Sequence, residues 1–158
     1  KMAVRYLEAQ GFRILDSSSF LQEWIPKAGL LTRRQPTAQE REDAQFGLGL
    51  ARRMALLSVG QTVVIRNKAV VAVEAMEGTD AAIRRAGQVA GAGLVVTKAC
   101  EPDHDMRFDI PVIGQDTLQA MSEAGATCLA VQAGRTLLFD QPHLLAEADR
   151  LQISIIAL

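Results

Sequence analysis

The chain has 158 residues, 49% of them apolar and 22% charged, with 17 basic against 18 acidic side chains and a net charge of −1. That length fits one domain, able to bury roughly 70% of the surface its unfolded chain exposes, and the balanced charge argues against a nucleic-acid partner, which would leave a basic footprint. No apolar run approaches the roughly 20 residues of a membrane span. Cys100 and Cys128 form no CxxC or zinc spacing, so two reduced thiols are expected.

In chain order, Met2 to Gln10 suits an amphipathic helix that Gly11 stops. Phe12 to Leu15 is a short strand candidate. The run Ser17-Ser18-Ser19 can then cap a helix carrying Phe20, Leu21, Trp24 and Ile25, ended by Pro26 and Gly29. Beyond a loop through Arg33, Arg34 and Pro36, Thr37 and Glu40 have the spacing of a capping box. The helix that follows is expected to run to about Leu57, with Phe46, Leu50, Met54 and Leu57 as its buried stripe.

After Gly60 the pattern becomes extended. QTVVIR and AVVAVEA flank Asn67-Lys68, which reads as a hairpin with a two-residue turn; Asn67 suits a positive φ, Lys68 less so. Strands and helices then alternate. GLVVTKA is a strand, Asp116 caps a helix to Ala124, TCLAVQA is a strand and TLLF a short one. Pro142 opens a helix to about Leu151, and ISIIA closes the chain as a strand. The expected fold is α/β, a mixed, partly parallel sheet covered by helices in a single domain.

Two segments carry chemistry. In AVEAMEGTDAAIRRAG, Ala72 to Gly87, a strand delivers Glu74 and then Glu77-Gly78-Thr79-Asp80 at the start of a helix. Free N–H groups at such a junction make an anion site, although Thr79 or Asp80 as a plain helix cap explains the same residue types. The second segment, KACEPDHDMRFDIPVIG from Lys98 to Gly114, crowds Glu101, Asp103, Asp105 and Asp109 around Lys98, His104 and Arg107. Pro102 and Pro111 exclude a regular helix across it. Crowded carboxylates need basic partners or a hard divalent cation, or else they form a solvated acidic loop. It is not an EF-hand, since Phe108 stands where that loop requires Gly. Both segments follow strands, where open α/β sheets place ligands, and together they supply the parts for metal-assisted phosphoryl chemistry.

These motifs, AVEAMEGTD with RRAG and then KACEPDHDMRFDIPVIG, resemble the C-terminal domain of the LpxI family. GLLTRRQPTAQERED, VGQTVVI and AGRTLLFD agree in order, so the resemblance covers nearly the whole chain. It implies a Mg²⁺- or Mn²⁺-dependent hydrolase that splits the pyrophosphate of UDP-2,3-diacylglucosamine into UMP and 2,3-diacylglucosamine 1-phosphate, in lipid A biosynthesis. Residues 1–158 would be the C-terminal catalytic domain of a two-domain enzyme, and the start on Lys1 suits a fragment.

Within that expectation Asp105 and Asp109 are catalytic and, with Glu77 or Asp80, hold the metal. Lys98 and Arg107 neutralise the pyrophosphate, and Gly78, Thr79 and Gln61 contact substrate. The implied partners are the UDP-linked lipid, the enzyme's own N-terminal domain and, transiently, a membrane surface. Apolar helices also suit a homodimer, though nothing demands one. The expected location is the cytoplasm, peripheral at the inner membrane. His104 stands where the family usually has Gln, Ser58 where it has Asp, and Gln132 where it has Glu. A non-enzymatic module that binds a nucleotide or lipid phosphate is the alternative.

Overall fold

The computed structural model describes residues 2–13, 15, 17–101, 104–105 and 110–158. A six-stranded sheet runs in the order β1-β8-β6-β4-β2-β3, from β1 (Gly29–Leu30), β8 (Ser154–Ala157), β6 (Ala126–Val131) and β4 (Leu94–Lys98) to β2 (Thr62–Arg66) and β3 (Ala69–Val73). The central strands β4, β6 and β8 are mutually parallel, whereas β1 and the β2–β3 hairpin join antiparallel. This is the mixed, partly parallel sheet expected from the nearly continuous apolar strands.

Helices cover both faces because alternate residues of each strand face opposite cores. On one face Val63, Ile65, Val95, Cys128 and Ala130 meet Ala44, Leu48 and Ala51 of α2 (Ala38–Leu56). On the other, Val64, Val96 and Leu129 meet Ile83 of α3 (Thr79–Ala90), Leu118 and Met121 of α4 (Gln115–Ala124), and Leu144 of α5 (Gln141–Arg150). The chain steps from β4 to β6 to β8 in one direction across the sheet. Successive crossovers of one hand therefore lay their helices on one face. A separate two-stranded parallel sheet pairs β5 (Val112–Ile113) with β7 (Leu137–Leu138), and Ile113 and Leu138 join the core on the α3–α5 face.

The capping box forms as spaced. Thr37 Oγ1 accepts the Glu40 N–H at 3.1 Å and the Glu40 carboxylate accepts the Thr37 N–H at 2.7 Å. Small residues, not the expected stripe, face the sheet from α2. Ala44, Gly47, Leu48 and Ala51 are buried, whereas Phe46 and Leu57 are exposed and Leu50 and Met54 only half-buried. Close approach is the reason, since a Cβ on Gly47 would lie 2.5 Å from Thr97 Cγ2.

Other departures are local. Phe12, Arg13 and Leu15 belong to no strand. The stretch after the serine run makes two short 3₁₀ turns, Ser17–Phe20 and Gln22–Trp24, beyond α1 (Met2–Ala9). Gly114, not Asp116, is the N-cap of α4, and Asp116 sits in its first turn, where a negative charge suits the helix end. Both cysteines are buried and unbridged, and burial, with the nearby Glu40 charge, pushes the Cys128 thiol up to about 12.

Asn67 and Lys68 both take positive φ, 51° and 58°, the signature of a type I′ turn. Lysine is tolerated there because buried Asp43 receives both backbone N–H groups, each at 2.7 Å. Asp43→Ala is expected to cost about 1–3 kcal/mol and to lower the melting temperature by several degrees. An unchanged melt would show that water replaces the carboxylate.

Candidate functional site

The strand directions bring both chemistry-bearing segments to one edge. β3 and β4 end there, β2 begins there, and Thr62 pairs with Lys98 across β2 and β4. Lys98 closes β4 with its side chain buried, only 7% exposed. Its ammonium donates to Thr79 Oγ1 at 2.8 Å. The Thr79 hydroxyl donates in turn to Glu74 Oε1 at 2.8 Å, and the Gln61 N–H donates to Glu74 Oε2 at 3.2 Å. The Thr62 hydroxyl stands 3.4 Å from that of Thr79. A buried cation is thus tied through one hydroxyl to a half-buried carboxylate.

Thr79 is the first residue of α3, and the N-cap is Gly78 at φ 83° with no side-chain cap. The hydroxyl that could have capped the helix is used on Lys98 and Glu74 instead. A plain capping role for Thr79 is therefore not what the structure has. Gln61, Gly78, Thr79 and Lys98 lie around one edge of the sheet.

Glu77 and Asp80 are engaged elsewhere. Glu77 pairs with Arg85 at 2.5 Å, and that hydrogen bond leads in holding its carboxyl below the usual range. Arg85 also donates to the Val73 carbonyl, so the pair clamps the turn between β3 and α3. Asp80 accepts the Thr117 hydroxyl at 2.9 Å, bridging α3 to α4. Among the described residues, no three His, Cys, Asp or Glu side chains come together as a metal-binding group. Glu77 and Asp80, each expected as a metal ligand beside Asp105 and Asp109, thus have Arg85 and Thr117 as their partners in this structure. Asp109 and Arg107 lie outside the described residues, and Asp105 is half-buried on the loop.

Beside this centre is an open cleft of about 290 Å³ lined by Ala55, Ser58, Val59, Gly60, Gln61, Glu101 and His104. His104 Nδ1 stands 3.9 Å from Glu101 Oε1. Ser58 and His104 thus line one cleft. Gln132 accepts the Cys100 N–H at 3.1 Å and so ties the end of β6 to the start of the acidic loop.

Sequence reasoning passes over Glu74 as a site residue. The available signal is a lone carboxylate on an otherwise apolar strand, which must find a partner when half-buried. Gly60 fixes its place, since a Cβ there would sit 2.1 Å from the Glu74 carbonyl oxygen. Gly60→Ala is expected to force β3 away from the start of β2 and to lower stability by about 1–3 kcal/mol. Gly49→Ala on exposed α2, where nothing lies within 4 Å, is the control and should stabilise slightly. Equal melting temperatures for the two variants would refute the close approach.

The model of the LpxI C-terminal domain matches residues 27–156. UDP-2,3-diacylglucosamine pyrophosphatase LpxI of Caulobacter vibrioides is 32% identical over 157 residues, 94% of this chain. The match covers 56% of that relative, so the chain spans little more than half its length. On both findings, the chain belongs to the LpxI family, as a counterpart of its C-terminal domain.

Proposed function

We propose that this chain is the catalytic C-terminal domain of a two-domain hydrolase of lipid A biosynthesis. The reaction is cleavage of the pyrophosphate of UDP-2,3-diacylglucosamine to UMP and 2,3-diacylglucosamine 1-phosphate. The buried Lys98 ammonium at the strand ends carries the reading. A cation in a partly dry site offsets developing phosphate charge far better than one in water. The curated relative bears the name of that activity.

In this reading Lys98 and Arg107 neutralise the pyrophosphate oxygens, and backbone groups of Gly78 and Thr79, with Gln61, contact the substrate. Asp105 and Asp109 of the acidic loop are the hard oxygen donors that would hold Mg²⁺ or Mn²⁺. When bound, such an ion would neutralise phosphate charge and acidify a water. The chain's remaining partners would be an N-terminal domain and, transiently, the cytoplasmic face of the inner membrane. Among the described residues no helix is long and apolar enough to cross a membrane.

Release of UMP from UDP-2,3-diacylglucosamine by full-length protein tests the reading, with and without EDTA. Asp105→Asn and Asp109→Asn are expected to lower kcat by about 10²-fold or more while melting normally. Turnover untouched by EDTA would remove the metal, and near-normal turnover in a folded variant would remove that residue. Binding of UMP without any turnover would favour a non-enzymatic phosphate-binding module.

A further inference from the structure

We propose that Glu74 is the positioning residue of Lys98, acting through the hydroxyl of Thr79; its consequence for catalysis rests on the hydrolase reading above. A threonine hydroxyl has one proton. Here it goes to Glu74 Oε1 at 2.8 Å, so the oxygen turns a lone pair to the Lys98 ammonium, also at 2.8 Å. Reversal of that proton would set a donor against a donor. The carboxylate therefore dictates the polarity of the hydroxyl and holds one N–H of Lys98 in a fixed direction.

Glu74 is itself held at two points besides Thr79. Its second oxygen accepts the Gln61 N–H at 3.2 Å, and its backbone N–H donates to the Thr62 carbonyl at 2.9 Å. The Gly60 backbone packs directly against the Glu74 carbonyl. Rigid support of this kind is what keeps a charged group within the narrow tolerance that phosphoryl chemistry needs. The two side-chain oxygens face two donors, so only a carboxylate serves both. A glutamine has a single acceptor oxygen and would turn its NH₂ toward either Thr79 or Gln61.

Glu74 also places a negative charge one hydroxyl away from the ammonium. Loss of a nearby opposite charge makes an ammonium easier to deprotonate. That gives a readout independent of turnover. In full-length protein, trace acylation of lysines with acetic anhydride, read by mass spectrometry, reports how readily each lysine loses its proton, with Lys27 and Lys68 as internal standards. Glu74→Gln and Thr79→Val are each expected to raise Lys98 labelling several-fold, and Thr79→Ser to leave it unchanged.

Under turnover, Glu74→Gln and Thr79→Val are expected to lower kcat by roughly tenfold or more, with a smaller change in KM. The double variant should be no worse than Thr79→Val alone, because both act through one path. Unchanged Lys98 labelling in Glu74→Gln overturns the proposal, as does raised labelling with an unchanged kcat. Raised labelling in a protein whose unmodified form never releases UMP would uphold the positioning and sink the hydrolase reading instead.

Discussion

Lys98→Met in the full-length protein is expected to lose about 10²- to 10³-fold in kcat for release of UMP, with little loss of stability. The size follows from removing a single preorganised charge aimed at a developing anion, worth roughly 3–4 kcal/mol at a water-poor site. Methionine keeps the unbranched stem that lies in the protein and deletes only the charge. Lys98 is 7% exposed, so its ammonium was desolvated at a cost when the chain folded. Removing it relieves that cost while leaving the Thr79 hydroxyl its bond to Glu74. Stability should therefore move little in either direction.

Arginine is not a rescue at this position. Its planar fork is matched to two-pronged acceptors, whereas Thr79 offers the group at this position a single hydroxyl oxygen. Lys98→Arg should lose nearly as much turnover as Lys98→Met. Wild-type kcat in a folded Lys98→Met protein would take the residue out of the reaction.

How much of this was legible from residues alone depends on the distance over which each signal acts. The capping box of Thr37 and Glu40 is a contact three residues apart, and it forms as spaced. The Asn67-Lys68 hairpin is equally local, yet what makes Lys68 tolerable there is Asp43, which lies 24 and 25 residues away in sequence. The stripe of α2 was misread because periodicity favours large apolar residues. The interface was chosen by small ones, Ala44, Gly47 and Ala51, which let the helix approach β4.

The site shows the same division. Lys98, Thr79, Gly78 and Gln61 announce themselves by residue type beside strand ends. Glu74 becomes meaningful only once β2 is known to lie between β3 and β4, which brings it to Thr79 and Gln61 together. Glu77 and Asp80 have side chains suited to a cation, and the partners they meet here, Arg85 and Thr117, come from farther along the chain. No local pattern foretells which of several neighbouring carboxylates a distant helix will claim.

Far from this site, Glu40→Gln is expected to destabilise the fold by about 2–3 kcal/mol, a fall of roughly 5–10 °C in melting temperature. Glu40 does more than cap α2. One oxygen accepts Arg34 Nη2 at 2.8 Å and Thr127 Oγ1 at 2.6 Å, while the other holds the Thr37 N–H. Arg34 reaches on to the Thr127 carbonyl and the Ser154 hydroxyl, so the pair fastens α2 to the starts of β6 and β8. An amide cannot accept all of these, and it leaves the guanidinium, 23% exposed, without its counter-charge. Burial alone would raise the Glu40 carboxyl, but the bonds from Arg34, Thr127 and Thr37 outweigh it and bring it below its ordinary 4.5. A depressed folded value means stability that is fully present above 4.5 and is lost as pH falls through the folded value. The gap in melting temperature between wild type and Glu40→Gln should therefore be widest near neutrality and narrow below 4.5. Lys68→Ala, which removes only an exposed pair with Glu42, should show no such pH-dependent gap. A Glu40→Gln gap that stays constant from neutral pH into acid would show that shape, rather than the charge, holds α2 to the sheet.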